Sequence, residues 1–567
     1  MTEQMTQWLA LDPDPKTREE LQRLIAENQQ HELTDRFRSR LEFGTAGLRG
    51  KVGCGPNRMN RLVIQQTACG LGHYLQSQFS DANQRGVVIG YDGRTDSKQF
   101  AHDTAAVLAQ LGIKVYLTHD VAATPIVAFG VNYFNTVAAV VVTASHNPPE
   151  YNGFKVYWQN GAQIIPPHDS GIAACIDAVA NQPISLLSLE EAQQQGKLEW
   201  LNDDYYQTYR QTMNSNTLLT NHSQPDAIGI AYTAMHGVGA RMAETLLADA
   251  GFSKVYSVKE QREPDGSFPT VNFPNPEEAG AMDMVIALAK QHNAQLACAN
   301  DPDADRFAVA VQKPDGDYQM LTGDQVGALF GHYLLSKTES SKQLVGNTIV
   351  SSSLLSKIAA AHGAEYFQTL TGFKWLTNVA MQKQSAEHQF LFAYEEALGY
   401  TVGSKVWDKD GLSALVAFAQ LSAELYSQGK TIWDQLESLY RQHGIFVNAQ
   451  RSIALAPNTP PVGDKLRTEP PVAIAGRNVE ITEDLKHQRR HYADGRIETI
   501  DLPSSDVLIY HLSGGARVIV RPSGTEPKLK CYYEVVEPIS SNDDYSSALE
   551  KAQLSMDMLI AEHQHMI

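Results

Sequence analysis

Ser145 stands where a side-chain hydroxyl could act as a nucleophile. The β-branched and alanine-rich run at residues 136–142 predicts a buried strand, which stops abruptly at the turn TASHNPP, residues 143–149. Ligands of α/β proteins bind beyond the carboxyl ends of such strands. The pattern therefore places the Ser145 hydroxyl at a predicted ligand site, with an ordinary surface loop as the alternative.

His146 follows the serine directly, which raises the question of a serine hydrolase. Side chains of sequence neighbours point apart in extended backbone, and no G-x-S-x-G elbow surrounds Ser145. A hydrolase triad is therefore disfavoured. We expect His146 to stabilise the turn or to support the serine rather than to act as a triad base.

Three aspartates alternate along a short loop between two apolar runs. Asp301, Asp303 and Asp305 lie between predicted strands at 295–299 and 307–311. Alternate carboxylates in a tight loop can converge on one cation, and an all-oxygen ligand set suits Mg²⁺ better than zinc. The sequence predicts a magnesium site here, with a solvated acidic turn as the alternative.

A second loop has the composition of an anion site. It reads RPSGTEPK from Arg521 to Lys528, after a predicted strand at 517–520. Hydroxyls, a glycine that frees backbone N–H groups and a fork-shaped guanidinium together suit a phosphate. A plain surface turn has similar chemistry, so the loop alone does not decide.

Three further segments carry groups suited to a sugar phosphate. The paired carboxylates Glu395 and Glu396 follow an apolar run and could accept hydrogen bonds from vicinal hydroxyls. Residues 43–50, FGTAGLRG, are glycine-rich and carry Arg49. Residues 369–375, TLTGFKW, supply aromatic rings that could stack on a sugar, although aromatic residues at a strand end are more often core.

The elements that must position these loops recur in one order. A strand, a helix and a second strand follow one another at residues 86–117, 228–258 and 347–370. Each helix is predicted to end at a glycine in the left-handed conformation; these glycines are Gly112, Gly251 and Gly363. A series of unrelated α/β folds is the alternative to three related domains.

The composition changes after Ala456, where APNTPPVGDKLRTEPP reads as a proline-rich linker. The short strands that follow are of a different kind. We predict an α/β protein of three tandem related α/β domains plus a distinct α+β C-terminal domain. The predicted boundaries are 1–222 for the domain with the serine loop, 223–342 for the aspartate loop, 343–455 for the Glu395 loop and 456–567 for the Arg521 loop.

Charge and composition exclude several classes of partner. The net charge is −18, from 46 Lys+Arg and 64 Asp+Glu, which disfavours nucleic acid. No apolar run approaches the ~20 residues of a membrane helix, and the N-terminus lacks a secretory signal pattern. Five cysteines without a C-x-x-C pair favour reduced thiols and a cytoplasmic protein.

Cations in the candidate loops could nevertheless form a local pocket for a phosphate ester. They are Arg49, Lys155, Arg306, Lys374, Lys409, Arg521 and Lys528.

Taken together, the motifs resemble those of the α-D-phosphohexomutases. TASHNP, DPDADR, EEALGY and RPSGTEPK occur in the family's order, one in each predicted domain. The resemblance implies three similar α/β domains and a distinct fourth around a central cleft. It implies that Ser145 carries a phosphoryl group, and that Mg²⁺ is bound by Asp301, Asp303, Asp305 and an oxygen of the phosphorylated Ser145.

The resemblance also assigns roles to other residues. The expected catalytic set is Ser145, Lys155, Lys409, Arg306 and His146. The expected substrate-binding set is Arg49, Thr371, Gly372, Phe373, Lys374, Glu395, Arg521, Ser523, Gly524 and Thr525. Either Lys155 or Lys409 is the base; such a lysine needs a pKa lowered by a desolvated, cationic site.

The implied activity is transfer of a phosphoryl group between positions 1 and 6 of glucose phosphate, through a phosphoserine and with glucose 1,6-bisphosphate as intermediate and activator. Ala397 stands where a serine is usual and Tyr400 where a histidine is usual. These departures resemble the phosphoglucomutase/phosphopentomutase branch and put strict glucose specificity in doubt.

Several alternatives to this activity stay open. They are dominant phosphopentomutase or phosphomannomutase activity, a sugar bisphosphate synthase, and a phosphosugar-binding relative without turnover. The expected partners are small sugar phosphates, without nucleic acid or membrane, and the expected assembly is a monomer or homodimer.

Overall fold

The computed structural model describes residues 2–44, 47–220, 223–455, 462–522 and 528–566. They cluster into two compact units. Unit 1 comprises Met1–Leu321 and Leu398–Gln428, and unit 2 comprises Thr322–Ala397 and Gly429–Ile567.

The α-helices of the described residues are α1 (Glu3–Leu11), α2 (Pro15–Ala26), α3 (Gln30–Phe37), α4 (Arg61–Gln78), α5 (Ala82–Arg85), α6 (Ser97–Gln110), α7 (Thr124–Phe134), α8 (His168–Val179), α9 (Leu189–Gln194), α10 (Asp203–Asn214), α11 (Ala240–Asp249), α12 (Asp283–His292), α13 (Gly323–Ser336), α14 (Leu354–His362), α15 (Phe373–Lys383), α16 (Gly411–Ser427), α17 (Ile432–His443), α18 (Val462–Thr468) and α19 (Tyr545–Met566). Short 3₁₀ turns lie at Thr217–Leu219, Pro225–Ala227, Lys259–Gln261, Ser340–Lys342 and Ser513–Gly515.

The strands are β1 (Leu48–Lys51), β2 (Val87–Tyr91), β3 (Val115–Thr118), β4 (Ala138–Val142), β5 (Tyr151–Trp158), β6 (Leu198–Leu201), β7 (Gly229–Thr233), β8 (Lys254–Ser257), β9 (Leu296–Ala299), β10 (Ala308–Gln312), β11 (Tyr318–Met320), β12 (Gln343–Thr348), β13 (Glu365–Thr369), β14 (Gln389–Glu395), β15 (Gly399–Val402), β16 (Ile445–Ala454), β17 (Ala473–Ile474), β18 (Arg477–Asp484), β19 (Arg489–Tyr492), β20 (Ile497–Thr499), β21 (Leu508–Leu512), β22 (Arg517–Pro522) and β23 (Lys528–Glu537).

The first sheet of unit 1 has the order β1-β5-β4-β2-β3-β6. Strand β2 is parallel to β3 and β4, whereas β5 is antiparallel to both β4 and β1. Every residue of β2 and β4 is buried, as expected for parallel strands covered on both faces. Strand β4 lies near the middle of this sheet, and Ser145 follows its carboxyl end.

The second sheet of unit 1 has the order β11-β10-β9-β7-β8. Strand β7 is parallel to β8 and β9, and β10 runs antiparallel to β9. The aspartate loop joins β9 to β10. Both strands are almost entirely buried, so the loop leaves and re-enters a rigid core.

Helix α16 belongs to unit 1 although it comes after residues of unit 2 in the chain. All but three of its residues are buried. The ring of Phe418 packs against that of Phe307, with 5.6 Å between centroids. A helix that is apolar nearly all round needs core on every side, and in unit 1 it packs against α11.

Unit 2 contains two sheets of different kinds. Strand β12 is parallel to its neighbours β13 and β14. The C-terminal sheet has the order β16-β23-β22-β21-β18-β19-β20, with β17 paired to β18, and its pairs are antiparallel. Helix α19 packs on β23 and β16. This parallel α/β part and antiparallel α+β part agree with the predicted fold class.

Several local predictions can be compared with these elements. The three glycines expected after helices do adopt positive φ, at 86°, 90° and 70°. The linker predicted from Ala456 is wrong at Val462–Thr468, which is helical, because buried Val462 and Leu466 give this stretch an apolar face. Strand β16 lies in the C-terminal sheet, so that sheet starts before residue 456; the four domain boundaries stay predictions.

None of the helices in the described residues is long and apolar enough to cross a membrane.

Candidate active site

Ser145 sits in a strained turn beyond β4. Its φ is +51°, a left-handed conformation that non-glycine residues rarely adopt and that is frequent at functional sites. Its backbone N–H donates to Thr143 Oγ1 at 2.8 Å. Its own hydroxyl, which is buried, donates to Asp301 Oδ2 at 2.7 Å. The turn thus aims the serine at the aspartate loop.

The structure corrects the expectation that the side chains of Ser145 and His146 diverge. The left-handed turn replaces extended backbone, and His146 Nδ1 lies 3.2 Å from Ser145 Oγ. Burial, together with the guanidinium groups of Arg306 and Arg49, lowers the pKa of His146 well below its usual value. A neutral imidazole can donate a hydrogen bond to the serine hydroxyl, or accept one from it, without adding a charge to the site.

The three aspartates converge as predicted. Asp301, Asp303 and Asp305 are buried, and each offers an oxygen within 4.8 Å of the others. Among the described residues, neither Asp303 Oδ1 nor Asp305 Oδ1 has a hydrogen-bond partner, although both atoms are buried. Buried carboxylate oxygens left without donors fit an oxygen-seeking divalent cation, so this set is suited to Mg²⁺.

Lys155 bonds to the same aspartates. Its Nζ donates to Asp303 Oδ2 at 2.7 Å and to Asp305 Oδ2 at 2.8 Å. Burial alone would lower the pKa of Lys155, but Asp303, Asp305 and Asp408 outweigh it and raise the pKa. In this carboxylate surrounding Lys155 does not have the lowered pKa that a lysine base needs, and the choice between the two lysines stays open.

The segment after Leu398 brings Lys409 to the aspartate loop. Lys409 Nζ lies 3.5 Å from Asp305 Oδ2. The residues on either side are anchored in unit 1, because Tyr157 donates to Asp408 and Tyr209 donates to Asp410. Lys155 and Lys409, which are distant in sequence, therefore flank one carboxylate.

Gly411 allows this segment to lie close to the aspartate loop. A Cβ at this position would fall 2.2 Å from the carbonyl oxygen of Arg306. Its N–H donates to Ala304 O at 3.2 Å, and Asp410 caps the helix that starts here, accepting from the N–H groups of Leu412 and Ser413. Glycine is therefore required where α16 begins.

Two arginines of the predicted site also belong to unit 1. Arg49 is exposed and donates to Asn147 Oδ1 at 2.9 Å, which links the glycine-rich segment to the serine turn. The backbone N–H of Arg306 donates to Asp301 Oδ1 at 3.0 Å. Its guanidinium lies 3.5 Å from Glu277.

Several supporting residues were not identified from the sequence. Thr124 holds Asp303, donating from its hydroxyl at 2.6 Å and from its N–H to the Asp303 carbonyl at 2.9 Å. Asp92 and Arg94 lie beside the serine turn, and Thr143 donates to Asp92 at 2.6 Å. Asp92 and Arg94 directly follow β2, so the rule that ligands gather at strand ends could have indicated them.

In unit 2 a hydrogen bond joins the two segments that were predicted to bind the sugar, residues 369–375 and the Glu395 loop. Glu395 Oε1 accepts a hydrogen bond from the N–H of Gly372 at 2.7 Å. Thr371 and Lys374 are half-buried on either side of this contact. Phe373 is only 3% exposed, so its ring has little surface left for stacking on a sugar, in agreement with the alternative that it is core.

Glu396 lies in a different setting from Glu395. It accepts hydrogen bonds from Ser351 Oγ at 2.9 Å and from Thr348 Oγ1 at 3.3 Å. Burial, Glu395 and Asp324 raise the pKa of Glu396 to about 8. Glu396 is therefore mostly protonated at neutral pH.

Arg521 is half-buried at the end of β22. Burial raises the pKa of Tyr532 to about 12; Glu396 adds to this effect and Arg521 opposes it, so Arg521 and Glu396 both act on the Tyr532 hydroxyl. The other predicted phosphate ligands, Ser523, Gly524 and Thr525, lie outside the described residues.

Four family models match the chain in order. They are phosphoglucomutase/phosphomannomutase α/β/α domain I at residues 40–183, domain II at 203–316, domain III at 322–443 and the C-terminal domain at 477–543. The four motifs TASHNP, DPDADR, EEALGY and RPSGTEPK each fall inside one of these matches.

Curated relatives match over nearly their whole length. A Haemophilus influenzae protein named as a probable phosphomannomutase is 40% identical, covering 84% of this chain and 93% of its own. The Homo sapiens phosphopentomutase is 35% identical, covering 99% and 95%. The Homo sapiens glucose 1,6-bisphosphate synthase is 33% identical, covering 98% and 93%.

Solved structures share the fold. Parafusin, a phosphoglucomutase of Paramecium in its open form, aligns with a TM-score of 0.66 at 18% identity, over 92% of this chain and 95% of its own. A phosphoglucomutase/phosphomannomutase family protein from Burkholderia thailandensis aligns with a TM-score of 0.64 at 20% identity, over 91% and 98%.

Proposed function

Because the chain belongs to the phosphoglucomutase/phosphomannomutase family, as its motifs predicted, we propose that it moves a phosphoryl group between positions 1 and 6 of glucose phosphate and also accepts pentose 1-phosphates. The observation that carries the proposal is the Ser145 hydroxyl, held 2.7 Å from Asp301 within a buried carboxylate cluster. A phosphoryl acceptor beside a cation site is the arrangement that phosphoryl transfer requires.

In the proposed cycle, the O6 hydroxyl of glucose 1-phosphate attacks the phosphorus of phosphorylated Ser145. The bond from phosphorus to Ser145 Oγ breaks, and glucose 1,6-bisphosphate forms. A base accepts the O6 proton while Oγ takes up a proton. After the bisphosphate turns end for end, Ser145 Oγ attacks the phosphorus at position 1 and gives up its proton. The bond from that phosphorus to O1 breaks, O1 takes up a proton, and glucose 6-phosphate leaves Ser145 phosphorylated again.

The residues of unit 1 prepare Ser145 for both steps. Asp301 accepts the serine hydrogen bond and so orients Oγ, and the left-handed turn fixes the serine backbone. Lys155 and Lys409 are the candidates for the proton acceptor from O6. Mg²⁺ bound by the aspartates would offset charge on the phosphoryl oxygens during transfer.

The residues of unit 2 are proposed to bind the rest of the substrate. Glu395 would accept hydrogen bonds from sugar hydroxyls, and Arg521 together with Ser523, Gly524 and Thr525 would bind the phosphate that is not being transferred. The N–H of Gly372, which donates to Glu395 Oε1, would keep that carboxylate in place.

Pentose activity is proposed on two grounds. Ala397 supplies no hydroxyl where it could bond to a hexose, and a pocket without such a partner tolerates a smaller sugar. The phosphopentomutase of Homo sapiens matches the chain almost from end to end. Glucose 1,6-bisphosphate would serve as activator, and a cytoplasmic location is proposed because the cysteines of the described residues are all free.

Ser145→Ala is the test of the proposed function. It should fold normally and lose turnover of glucose 1-phosphate by several orders of magnitude, because no other group can hold the phosphoryl between half-reactions. Turnover is measured with glucose 1,6-bisphosphate present, and the phosphoryl on Ser145 by intact mass. Ser170→Ala, at an exposed serine, is the control.

Near-normal turnover by Ser145→Ala would disprove the mechanism. Product analysis with a separate phosphoryl donor supplied also tests the synthase alternative, since net formation of glucose 1,6-bisphosphate without glucose 6-phosphate would then identify a bisphosphate synthase.

A further inference from the structure

Arg94 makes an unusual set of contacts with the serine turn. It is 4% exposed, and its guanidinium donates to four backbone carbonyls. The acceptors are Ser145 O at 2.7 Å, Asn147 O at 2.6 Å, Pro148 O at 2.8 Å and Tyr151 O at 3.0 Å. One side chain therefore fills the concave side of the turn that carries the phosphoryl acceptor.

The turn has few backbone donors of its own for these carbonyls, although the N–H of Tyr151 donates to Pro148 O at 3.0 Å. Pro148 and Pro149 have no N–H, and buried carbonyls require donors. Arginine offers five donors in a planar fork, whereas lysine offers a compact ammonium. The turn therefore depends on a guanidinium in particular, and a positive charge alone would not replace it.

Asp92 links Arg94 to the backbone N–H of Ser145 through the hydroxyl of Thr143. Asp92 Oδ2 lies 3.3 Å from Arg94 Nε and accepts from the Thr143 hydroxyl at 2.6 Å. Thr143 Oγ1 in turn accepts from the N–H of Ser145. The carbonyl and the N–H of Ser145 are thus both fixed by one Asp92–Arg94 pair, which accounts for its left-handed φ.

The same arginine also contacts the second α/β part of unit 1. Its guanidinium carbon lies 5.0 Å from the centre of the Phe268 ring, a cation–π distance. A Cβ on the adjacent Gly93 would fall 2.7 Å from Pro264. The segment at 264–268 therefore covers Arg94 and leaves it no room to move away from the turn.

We propose that Arg94 is a positioning residue for phosphoryl transfer: it holds the Ser145 turn in the conformation in which Oγ faces Asp301. This inference rests on the proposed function and goes beyond it, because the bonds described do not connect Arg94 to Ser145 Oγ or to the three residues of the aspartate loop. Misplacement of a nucleophile by about 1 Å is enough to cost roughly a hundredfold in rate.

Arg94→Lys tests the proposal. It should reduce at least a hundredfold the single-turnover rate at which glucose 1,6-bisphosphate phosphorylates Ser145, followed by intact mass. The kcat for glucose 1-phosphate should fall in parallel, with KM changed less than threefold. Amide hydrogen exchange should accelerate at residues 143–151, a readout that needs no turnover.

Arg61→Lys is the matched control. Arg61 forms a bidentate pair with Asp103 at 2.7 and 2.8 Å in the same α/β part but does not touch the serine turn. It should leave phosphorylation of Ser145 and exchange at 143–151 unchanged, even if it lowers Tm.

The outcomes distinguish this proposal from the proposed function. If the wild-type protein takes no phosphoryl onto Ser145, the proposed function fails. If it does, and Arg94→Lys matches the wild type in phosphorylation rate and exchange, Arg94 is not a positioning residue. Failure of both Arg94→Lys and Arg94→Gln to fold, with Arg61→Lys folded, would also overturn the proposal in favour of a purely structural role.

Discussion

The carboxylates of the aspartate loop differ in what they bind. Burial, Asp303 and Asp305 raise the pKa of Asp301, which accepts the Ser145 hydroxyl. Burial also opposes ionisation of Asp303, but Lys155 outweighs it and lowers the pKa. A divalent cation at this cluster would favour the ionised form of all three carboxylates.

Asp303→Asn should therefore weaken Mg²⁺ binding and lower kcat. The substitution keeps the shape of the side chain but removes a charge opposite the cation. We expect at least a tenfold higher Mg²⁺ concentration for half-maximal activity, and a matching loss of affinity in calorimetric titration with Mg²⁺ alone. Asp315→Asn, in an exposed turn, is the control; unchanged Mg²⁺ affinity in Asp303→Asn would contradict a ligand role.

Glu396 makes the stability of the protein depend on pH. Its pKa is raised from 4.5 to about 8 in the folded state. Between these values the folded state binds more protons than the unfolded state, so the free energy of unfolding falls as pH rises through this range. Its contribution is complete below about pH 4.5 and is lost above about pH 8.

Glu396→Gln should remove this decline, because glutamine does not titrate. Thermal unfolding from pH 5 to 9 should show a smaller fall in Tm for Glu396→Gln than for the wild type. Glu387→Gln, at an exposed position, should follow the wild-type curve. Parallel curves for Glu396→Gln and the wild type would show that Glu396 is not the titrating group.

Residue types and spacing were enough to indicate Ser145 and the three aspartates, because those signals are local. The hydrogen bonds of Arg94 and Asp408 could not be predicted in the same way. Arg94 reaches a turn about fifty residues further on, and Tyr157 donates to Asp408 across 251 residues. Only the packing of separate strands brings such partners together.

At the scale of the elements, strand ends were predictable to within a few residues where apolar runs are bounded by turns. Strand β4 begins two residues after the start of the run at 136–142 and ends with it. Helix α14 ends directly before Gly363, as predicted. Two predictions at this scale were wrong. The proline-rich composition indicated a linker where α18 forms. Strand β16 belongs to the C-terminal sheet because it pairs with β23, which is distant in sequence.

The loop after β14 gives a prediction about sugar preference. Ala397→Ser would add a hydroxyl able to bond to a hexose, a net gain of about 1 kcal/mol. The ratio of kcat/KM for glucose 1-phosphate to that for ribose 1-phosphate should rise about fivefold. Ala386→Ser, at an exposed bend, should leave it unchanged. A ratio unmoved by Ala397→Ser would show that this loop does not set the preference.

At the scale of the whole molecule, unit 1 is discontinuous in sequence. Helix α16 lies deep in it, with Leu412, Leu415 and Phe418 fully buried. Omitting Leu398–Gln428 would expose the apolar surface that α16 covers, including Phe307. Removal of several large core side chains costs more than a typical domain can lose.

A fragment of residues 1–321 should therefore fail to show a cooperative unfolding transition. Joining residues 398–428 to its C-terminus through a flexible glycine-serine linker should restore one, measured by calorimetry and circular dichroism. A fragment joined to 398–428 with Phe418→Asp is the control and should remain unfolded. A cooperative transition in the 1–321 fragment would show that α16 is dispensable.

The late position of α16 also has a consequence for synthesis on the ribosome. A nascent chain that has emerged as far as Leu321 still lacks the helix that completes its first half. About a hundred more residues must be translated first, which takes roughly 5 to 20 seconds at ordinary elongation rates. During that interval the apolar surface that α16 will cover is exposed, and it is a site at which a partly made chain could aggregate or bind a chaperone.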